Sequence, residues 1–296
     1  MTPYIASLRS IALNVPDVAL CEEFYTRVWN LEVAGRQDGA VYLRGTGADH
    51  HLLALHPADK VSIRHVTLRA RSPESMQAII AALPTAGGRI VKPLGPITEP
   101  GGGTGFTLAD PDGRMLQVVH GDELNANPRE EKDHPIRLAH VVLNSHDVEA
   151  SQKFMEDVLR FKLSDRTKIM AFMRCNADHH SIALGDAAED SLNHIAFLMP
   201  ELESVMRGGG RMKDAGYPIQ WGPGRHGPGN NAFNYFVGPF GVVIEYTCDV
   251  QQVDDSYPTG GPDDWKWPPG RIDQWGIAIS PTDELKKAQR GVFFAR

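Results

Sequence analysis

Several features that mark common classes of protein are scarce in this chain. Cysteine is rare: Cys21, Cys175 and Cys248 form no CxxC pair, which predicts reduced thiols in a cytoplasm rather than a disulfide framework. No apolar run is long enough to span a bilayer and no signal peptide is evident, so we expect a cytoplasmic protein without a membrane partner. Positive charge is in deficit, and a net charge of −7 argues against nucleic acid as a partner.

What the chain does contain is enough apolar sequence for two folded units, arranged as a repeat. Its 296 residues, 42% of them hydrophobic and 23% charged, are typical of a globular protein with two cores. Similar segments recur at an offset of 128 to 130 residues, which indicates a duplicated unit. The matched pairs are residues 8–14 with 138–144, 50–55 with 179–184, 63–66 with 192–195, and 111–117 with 239–245.

Each copy is predicted to contain two modules, each a strand followed by a helix and then further strands, which makes the protein α+β. Asp17 and Asp147 occupy the same place in the two copies, where each can cap the helix that follows the opening strand. Charges and prolines mark a linker between the copies, and a tail rich in Pro, Gly and Trp repeats nothing. The predicted boundaries are residues 1–120 for the first domain, 121–135 for the linker, 136–248 for the second domain and 249–296 for the tail.

Three ionisable residues of the second copy, His140, His194 and Glu245, lie in short apolar runs that are typical of β-strands. A carboxylate without a partner is strongly disfavoured in such a strand, because burial removes its hydration. All three residues become compatible with burial if they face one cation. Two His and one carboxylate, with open positions opposite them, are the ligand set of non-haem Fe(II) oxygenases.

The first copy serves as an internal control for this metal site. At the three matching positions it has Ser10, His65 and Gln117, so it has lost one imidazole and the only carboxylate. The fold itself therefore does not require His or Glu at these places. We predict that the first domain is vestigial and binds no metal, and that the second domain holds one ion.

The segment that leads to Glu245 resembles the type I extradiol ring-cleaving dioxygenases of the vicinal oxygen chelate superfamily. Residues 222–231, Gly-Pro-Gly-Arg-His-Gly-Pro-Gly-Asn-Asn, are followed by Tyr235, Pro239 and Glu245 at the family's spacing. The resemblance covers both copies and implies four βαβββ modules in two tandem vicinal-oxygen-chelate domains, each an incomplete barrel of mixed sheet. It also implies Fe(II), less often Mn(II), as the cofactor, and a homo-oligomer, with a tetramer favoured.

The resemblance further implies roles for individual side chains. His180, fourteen residues before His194, matches the acid–base histidine, and His226 and Tyr235 match groups that bond the substrate and the bound oxygen species. The implied reaction opens the ring of a catechol beside its diol with O2, giving a 2-hydroxymuconic-semialdehyde-type product in aromatic degradation. The implied metal ligands are His140, His194 and Glu245.

The charge of the substrate depends on how the pocket residues align. The homoprotocatechuate branch of this family holds a substrate carboxylate with two arginines, and this chain has Trp221 and Ile272 at the matching places. A slip of one residue in the tail alignment would put Arg271 in the second position instead. Without the two guanidinium groups, an uncharged catechol is favoured. The predicted substrate-pocket residues are Trp221, Val142, Arg271 and Ile272.

Other functions on the same fold stay open at this point. A glyoxalase-like isomerase or epimerase would need a metal site richer in carboxylates, and a non-enzymatic binding module would not need the three ligands together. A homoprotocatechuate-type dioxygenase would need Arg271 in the pocket. The tail raises a separate alternative, because Trp265, Trp267 and Trp275 could form a lid over the site or simply pack on the domain surface.

Overall fold

The two copies of the repeat fold into two β-sheets, each accompanied by two helices. The computed structural model describes residues 2–295. The first half contains β1 (Ile5–Val15), α1 (Val18–Arg27), β2 (Glu32–Gln37), β3 (Ala40–Arg44), β4 (Leu53–Pro57), β5 (Ser62–Ala70), α2 (Pro73–Ala82), β6 (Arg89–Pro96), β7 (Thr104–Ala109) and β8 (Met115–His120).

The second half repeats this element order and is followed by the tail. Its elements are β9 (Arg137–Ser145), α3 (Val148–Leu159), β10 (Lys162–Arg166), β11 (Met170–Arg174), β12 (Ile182–Asp186), β13 (Ser191–Leu198), α4 (Leu202–Asp214), β14 (Trp221–Arg225), β15 (Ala232–Val237) and β16 (Val243–Cys248). The tail adds α5 (Asp283–Ala288) and β17 (Val292–Phe293), and short 3-10 turns span Pro84–Ala86 and Pro239–Gly241.

Strand order is the same in both halves and confirms the predicted α+β fold of tandem βαβββ modules. It runs β2-β3-β4-β1-β5-β8-β7-β6 in the first sheet and β10-β11-β12-β9-β13-β16-β15-β14 in the second. The opening strands of the two modules are antiparallel neighbours at the sheet centre, and each pairs in parallel with the last strand of its own module. Both sheets are therefore mixed, and both are open.

The helices begin where the sequence places their caps. Oδ1 of Asp17 accepts a hydrogen bond from the backbone N–H of Leu20 at 2.9 Å, and Oδ1 of Asp147 accepts one from Ala150 at 2.9 Å. Each carboxylate thereby satisfies a backbone donor that has no partner within the helix. Between residues 2 and 295, no helix combines the length and the apolar character needed to cross a membrane.

An aromatic cluster around Trp29 fixes the first half against the second sheet. The Trp29 indole, which is fully buried, stacks on the ring of Tyr246 with centroids 3.6 Å apart and planes 6° from parallel. The Tyr246 hydroxyl also donates to the carbonyl of Trp29 at 2.8 Å. Phe197 and Phe236 meet the same indole edge-on. Trp29 of the first half thus packs on β13, β15 and β16 of the second.

The tail returns to the second half and pairs with the strand that carries His194. Val292 of β17 lies opposite Leu192 of β13 in an antiparallel pair. Gly260 of the tail forms an isolated bridge with Asp165 of β10, which is an edge strand of the same sheet. The tail therefore contacts both the centre and the edge of the second sheet.

Trp29→Ala should lower the free energy of unfolding by about 3–5 kcal/mol, the usual cost of removing a large buried aromatic side chain. Denaturant unfolding followed by circular dichroism measures the change. Trp267→Ala is the matched control, because Trp267 is 38% exposed and should cost clearly less. Equal losses in the two variants would contradict a special role for the Trp29 cluster.

Candidate metal centre

Three adjacent strands bring the predicted metal ligands together. His140 lies on β9, His194 on β13 and Glu245 on β16, and β13 pairs with both of the other strands. Ala196 of β13 lies opposite His140 on one side and opposite Glu245 on the other. Because side chains alternate along a strand, His194, two residues before Ala196, projects to the same face.

The donor atoms of this triad meet closely. The Nε2 atoms of His140 and His194 each lie 3.1 Å from Oε2 of Glu245, and the two Nε2 atoms are 3.4 Å apart. One cation with bonds of about 2.0–2.2 Å to each donor fits between atoms at these separations. Without a cation, two imidazole nitrogens would face each other beside one shared carboxylate oxygen. The three buried residues therefore fit a resident metal ion.

The protonation states of Glu245 and His194 also suit a ligand set. Burial alone would raise the pKa of Glu245, but His140 and His194 hold it well below its usual range, so the carboxylate is charged. Burial lowers the pKa of His194 despite the opposing effect of Glu245, so its imidazole is neutral. An ionised carboxylate and neutral imidazoles are the forms that bind metal.

Neighbouring amide side chains hold the ligands in place. Nδ1 of His194 lies 2.8 Å from Oδ1 of Asn193, an acceptor that keeps the proton on Nδ1 and leaves Nε2 free to ligate. Nε2 of Gln289, in the tail, donates to the same oxygen at 2.9 Å. On the other side, Nδ2 of Asn231 lies 3.5 Å from Oε1 of Glu245.

The matching place in the first half holds an arginine. The buried Arg9 guanidinium lies 3.0 Å from Oγ of Ser10 and 2.6 Å from Nε2 of His51, and it pairs with Asp122 at 3.2 Å. Among residues 2–295, no cluster of His, Cys, Asp and Glu side chains at this place is tight enough to hold an ion. The prediction of a metal-free first half thus has a physical basis, because Arg9 supplies the positive charge there.

A second group of possible ligands lies at the junction of the two halves. It consists of Asp112, His146 and Asp190. The Arg114 guanidinium lies among them, 2.7 Å from Oδ2 of Asp112 and 2.6 Å from Oδ1 of Asp190. Since Arg114 already neutralises these carboxylates, the group is an ion-pair network that joins the halves.

The predicted acid–base residue, His180, lies beside the triad. Its buried ring is 4.3 Å from that of His140, centroid to centroid, and it lines the cavity in front of the ligands. Its Nδ1 is 3.1 Å from Nδ1 of His179. Burial, reinforced by His140 and His179, lowers the pKa of His180 well below its usual value, so the ring is neutral and can accept a proton.

Tyr235 and His226 form a hydrogen-bonded pair on the other side of the triad. The Tyr235 hydroxyl lies 3.0 Å from Nε2 of His226 and 3.4 Å from Nε2 of His194. Burial, reinforced by Glu245, raises the pKa of Tyr235 well above its usual value, so the phenol keeps its proton and can donate it in a hydrogen bond. Burial lowers the pKa of His226 to about 4, so this imidazole is neutral.

A cavity of about 480 Å³ opens in front of the triad, and the tail forms part of its wall. Trp265 and Trp267 line it, whereas Trp275 stacks under the guanidinium of Arg225 at 4.9 Å. The predicted site residues that line the cavity are His140, Val142, His180, His194, Trp221, His226, Tyr235 and Ile272.

Arg271 is the predicted pocket residue that the structure places elsewhere. Its side chain is exposed and folds back onto Gly276, where a Cβ atom would lie 2.7 Å from the guanidinium. The cavity wall contains its neighbour Ile272 instead. The backbone turn at Gly276, with a φ of 72°, accommodates the arginine outside the cavity, and a role for Arg271 in binding substrate stays a prediction.

Sequence reasoning missed several residues of the site. Asn193 and Lys168 carry no pattern that separates them from surface residues, and Asp165 lies outside the sequence segments that carry the ligands. The sequence does contain a signal for His179, because the pair it makes with His180 recurs in the first copy as His50 and His51. That recurrence pointed to a shared structural role rather than to catalysis.

Both halves match one family model, described as the Glyoxalase/Bleomycin resistance protein/Dioxygenase superfamily, over residues 7–118 and 137–246. The chain belongs to this superfamily. The two matched ranges cover most of each sheet, so the internal repeat is the superfamily's own domain occurring twice. The resemblance seen in the sequence is thereby confirmed at the level of the superfamily.

Relatives within the superfamily carry different activities in their names. Metapyrocatechase 2 of Cupriavidus necator is 27% identical over 304 residues, which cover 92% of this chain and 89% of that protein. The manganese-dependent 2,3-dihydroxybiphenyl 1,2-dioxygenase of Geobacillus genomosp. 3 is 24% identical over 263 residues, covering 81% and 83%. The solved structure of the Mn(II)-bound glyoxalase from Novosphingobium aromaticivorans has a TM-score of 0.89 at 35% identity, covering 96% and 94%.

Glu245→Gln should abolish metal binding at low micromolar metal, because a neutral amide cannot balance the cation between His140 and His194. Metal analysis of anaerobically purified protein should find one ion per wild-type chain and none in the variant. Gln117→Ala, at the matching position of the first half, should leave the metal content unchanged. Two ions per chain, or an unaffected Glu245 variant, would refute this assignment.

Proposed function

We propose that this protein is an extradiol dioxygenase that opens the ring of a catechol beside its diol with O2. The observation that carries the proposal is the buried triad of His140, His194 and Glu245, which faces a cavity shared with His180 and Tyr235. Relatives named metapyrocatechase and 2,3-dihydroxybiphenyl 1,2-dioxygenase support the same reaction class.

The proposed cofactor is Fe(II), with Mn(II) as the alternative. The ligand set of two His and one carboxylate is typical of non-haem Fe(II) sites, whereas one relative is named for manganese. When bound, the metal would lower the pKa of a catechol hydroxyl and hold the diol beside O2. Elemental analysis, together with activity restored by each metal in turn, distinguishes the two ions.

The side chains around the triad supply the proton transfers and hydrogen bonds. His180, neutral and buried at the cavity wall, accepts the proton of a catechol hydroxyl and returns it later in the reaction. The Tyr235 hydroxyl, with its proton retained, donates a hydrogen bond toward the reacting oxygens. His226 orients that hydroxyl through their 3.0 Å contact.

The proposed substrate is a catechol without a carboxylate, giving a 2-hydroxymuconic-semialdehyde-type product. Trp221, Val142 and Ile272 present apolar surface to the cavity. Lys168 is the one Lys, Arg, Asp or Glu residue among the described residues of the wall, and its side chain is exposed at a turn. The cavity of about 480 Å³ leaves room for ring substituents. We further propose that the tail covers the bound substrate through Trp267.

A glyoxalase-type isomerase is the second candidate, because the solved structure at 35% identity carries that name. An isomerisation consumes no O2, so oxygen uptake separates the two functions directly. The single carboxylate of the triad and the hydrogen-bonded Tyr235–His226 pair favour the dioxygenase. A non-enzymatic binding module would need neither the carboxylate nor the Tyr235–His226 pair.

His180→Asn should retain the metal and bind catechol, yet lose about 10²–10⁴ in turnover, the usual contribution of acid–base catalysis. Steady-state oxygen uptake per bound metal measures the loss. His51→Asn makes the same change at the matching position of the first half and should leave turnover per metal unchanged. Wild-type turnover in the His180 variant would remove this residue from the mechanism.

Catechol, or a methyl- or hydroxy-substituted catechol, should have a higher kcat/KM than 3,4-dihydroxyphenylacetate. The carboxylated ring would bury its charge against Trp221 and Ile272, and the missing charge-assisted pair is worth about 1.5–3 kcal/mol, or roughly one to two decades. Oxygen uptake on both substrates at one pH makes the comparison.

If the carboxylated ring is equal or better, the substrate assignment fails and a homoprotocatechuate-type activity takes its place. Lys168→Met and Arg271→Met then identify the partner of the carboxylate. The variant that specifically raises KM for the carboxylated substrate marks it.

A further inference from the structure

A buried carboxylate lies behind the His179–His180 pair. Oδ2 of Asp165, on β10, lies 2.6 Å from Nε2 of His179, and Nδ1 of His179 lies 3.1 Å from Nδ1 of His180. The side chains of Asp165 and His179 are both 0% exposed. The three groups form one hydrogen-bonded chain that leads from the cavity wall into the interior.

The tail holds the carboxylate at the inner end of this chain. The Tyr257 hydroxyl donates to Oδ2 of Asp165 at 3.0 Å, and the backbone N–H of Gly260 donates to Oδ1 at 2.7 Å. Both neighbours are donors, so the two oxygens of Asp165 serve as acceptors. The geometry therefore assigns the proton in the His179–Asp165 bond to Nε2 of His179.

The position of this proton determines the positions of the protons on the next nitrogens of the hydrogen-bonded chain. With the ring proton on Nε2, His179 presents the lone pair of Nδ1 as an acceptor. Nδ1 of His180, which lies opposite, must then be the donor. The remaining nitrogen of His180, Nε2, carries a lone pair. It is therefore the nitrogen that can accept a proton from a molecule in the cavity.

We infer that Asp165 and His179 are positioning residues that fix the tautomer of His180 for proton transfer. The inference rests on the proposed dioxygenase function, in which His180 takes a proton from a catechol hydroxyl. That proton goes to Nε2 of His180 and leaves from Nε2 again. Nδ1–H stays bonded to His179 throughout, and Asp165 keeps its negative charge.

The first half contains the same histidine pair without the carboxylate. Nδ1 of His50 and Nδ1 of His51 are also 3.1 Å apart, and the ring centroids are separated by 5.3 Å in both halves. Gly35 occupies the place of Asp165: each faces the corresponding residue of the next strand, Tyr42 or Phe172. The pair alone is therefore a feature of the fold, and the carboxylate accompanies the half with the metal ligands.

Asp165→Asn tests the inference by reversing the hydrogen bond. The new amide can donate to Nε2 of His179, which moves the His179 proton to Nδ1 and forces the His180 proton to Nε2. In serine-protease triads, a wrong tautomer of this kind costs about 10⁴ in turnover. Here turnover should fall by about 10²–10⁴, toward that of His180→Asn, with KM and metal content little changed.

A double variant separates positioning from a merely structural role. Adding Asp165→Asn to His180→Asn should cause no further loss of turnover, because both changes remove the same proton acceptor. If the turnover losses of the two single variants multiply in the double variant, the inference is overturned. A fall in metal content that accounts for the loss of turnover would also overturn it. His50→Asn is the matched control in the first half and should leave turnover at the wild-type level. His179→Asn should retain more turnover than His179→Leu, because its amide oxygen can accept from Nδ1 of His180.

The tautomers are also measurable without any turnover. In ¹⁵N spectra of wild-type protein loaded with diamagnetic Zn(II), the proton should lie on Nε2 of His179 and on Nδ1 of His180. A proton on Nδ1 of His179 overturns the inference even if Asp165→Asn does not fold. If the wild-type enzyme consumes no O2 with catechol while the tautomers are as expected, the proposed function fails and the hydrogen-bond assignment stands.

Discussion

Glu245 is a carboxylate with no solvent contact, placed in the middle of a β-sheet, and its charge must be balanced from within the protein. Two imidazoles from the adjacent strand and the strand beyond it approach one of its oxygens, but a neutral imidazole such as that of His194 does not cancel a full negative charge. A divalent cation does, and it also explains why the three donor atoms converge. This arrangement is held by the register of β13, by the amides of Asn193 and Asn231, and by the position of Tyr235.

The first half meets the same requirement in another way. Its sheet has the same strand order and retains a polar interior, yet the positive charge there comes from the covalently attached guanidinium of Arg9 balanced by Asp122. A fixed side chain stabilises the domain without leaving coordination positions open to a substrate. The first half contacts the second through interactions such as the stacking of Trp29 on Tyr246.

The duplication made the triad predictable from sequence, because Ser10 and Gln117 show that the fold tolerates other residues where His140 and Glu245 stand. Periodicity and capping likewise gave the modules and the starts of their helices. The tail had no second copy for comparison, so the choice between Ile272 and Arg271 depended on a weak alignment, and the fold places Ile272 in the cavity wall. The contact between Asp165 and His179 joins residues 14 apart through the pairing of strands, and no local pattern reports it.

The path from the tail to His194 has a consequence for the order of events during synthesis. Gln289 supports Asn193, which holds Nδ1 of His194, and Gln289 follows Asn193 by 96 residues. A ribosome at a few amino acids per second makes all three ligands several seconds before it makes this support. The metal centre thus gains its last supporting contact only after translation has passed Gln289, and a nascent chain halted earlier would carry the ligands and Asn193 without the amide that supports Asn193.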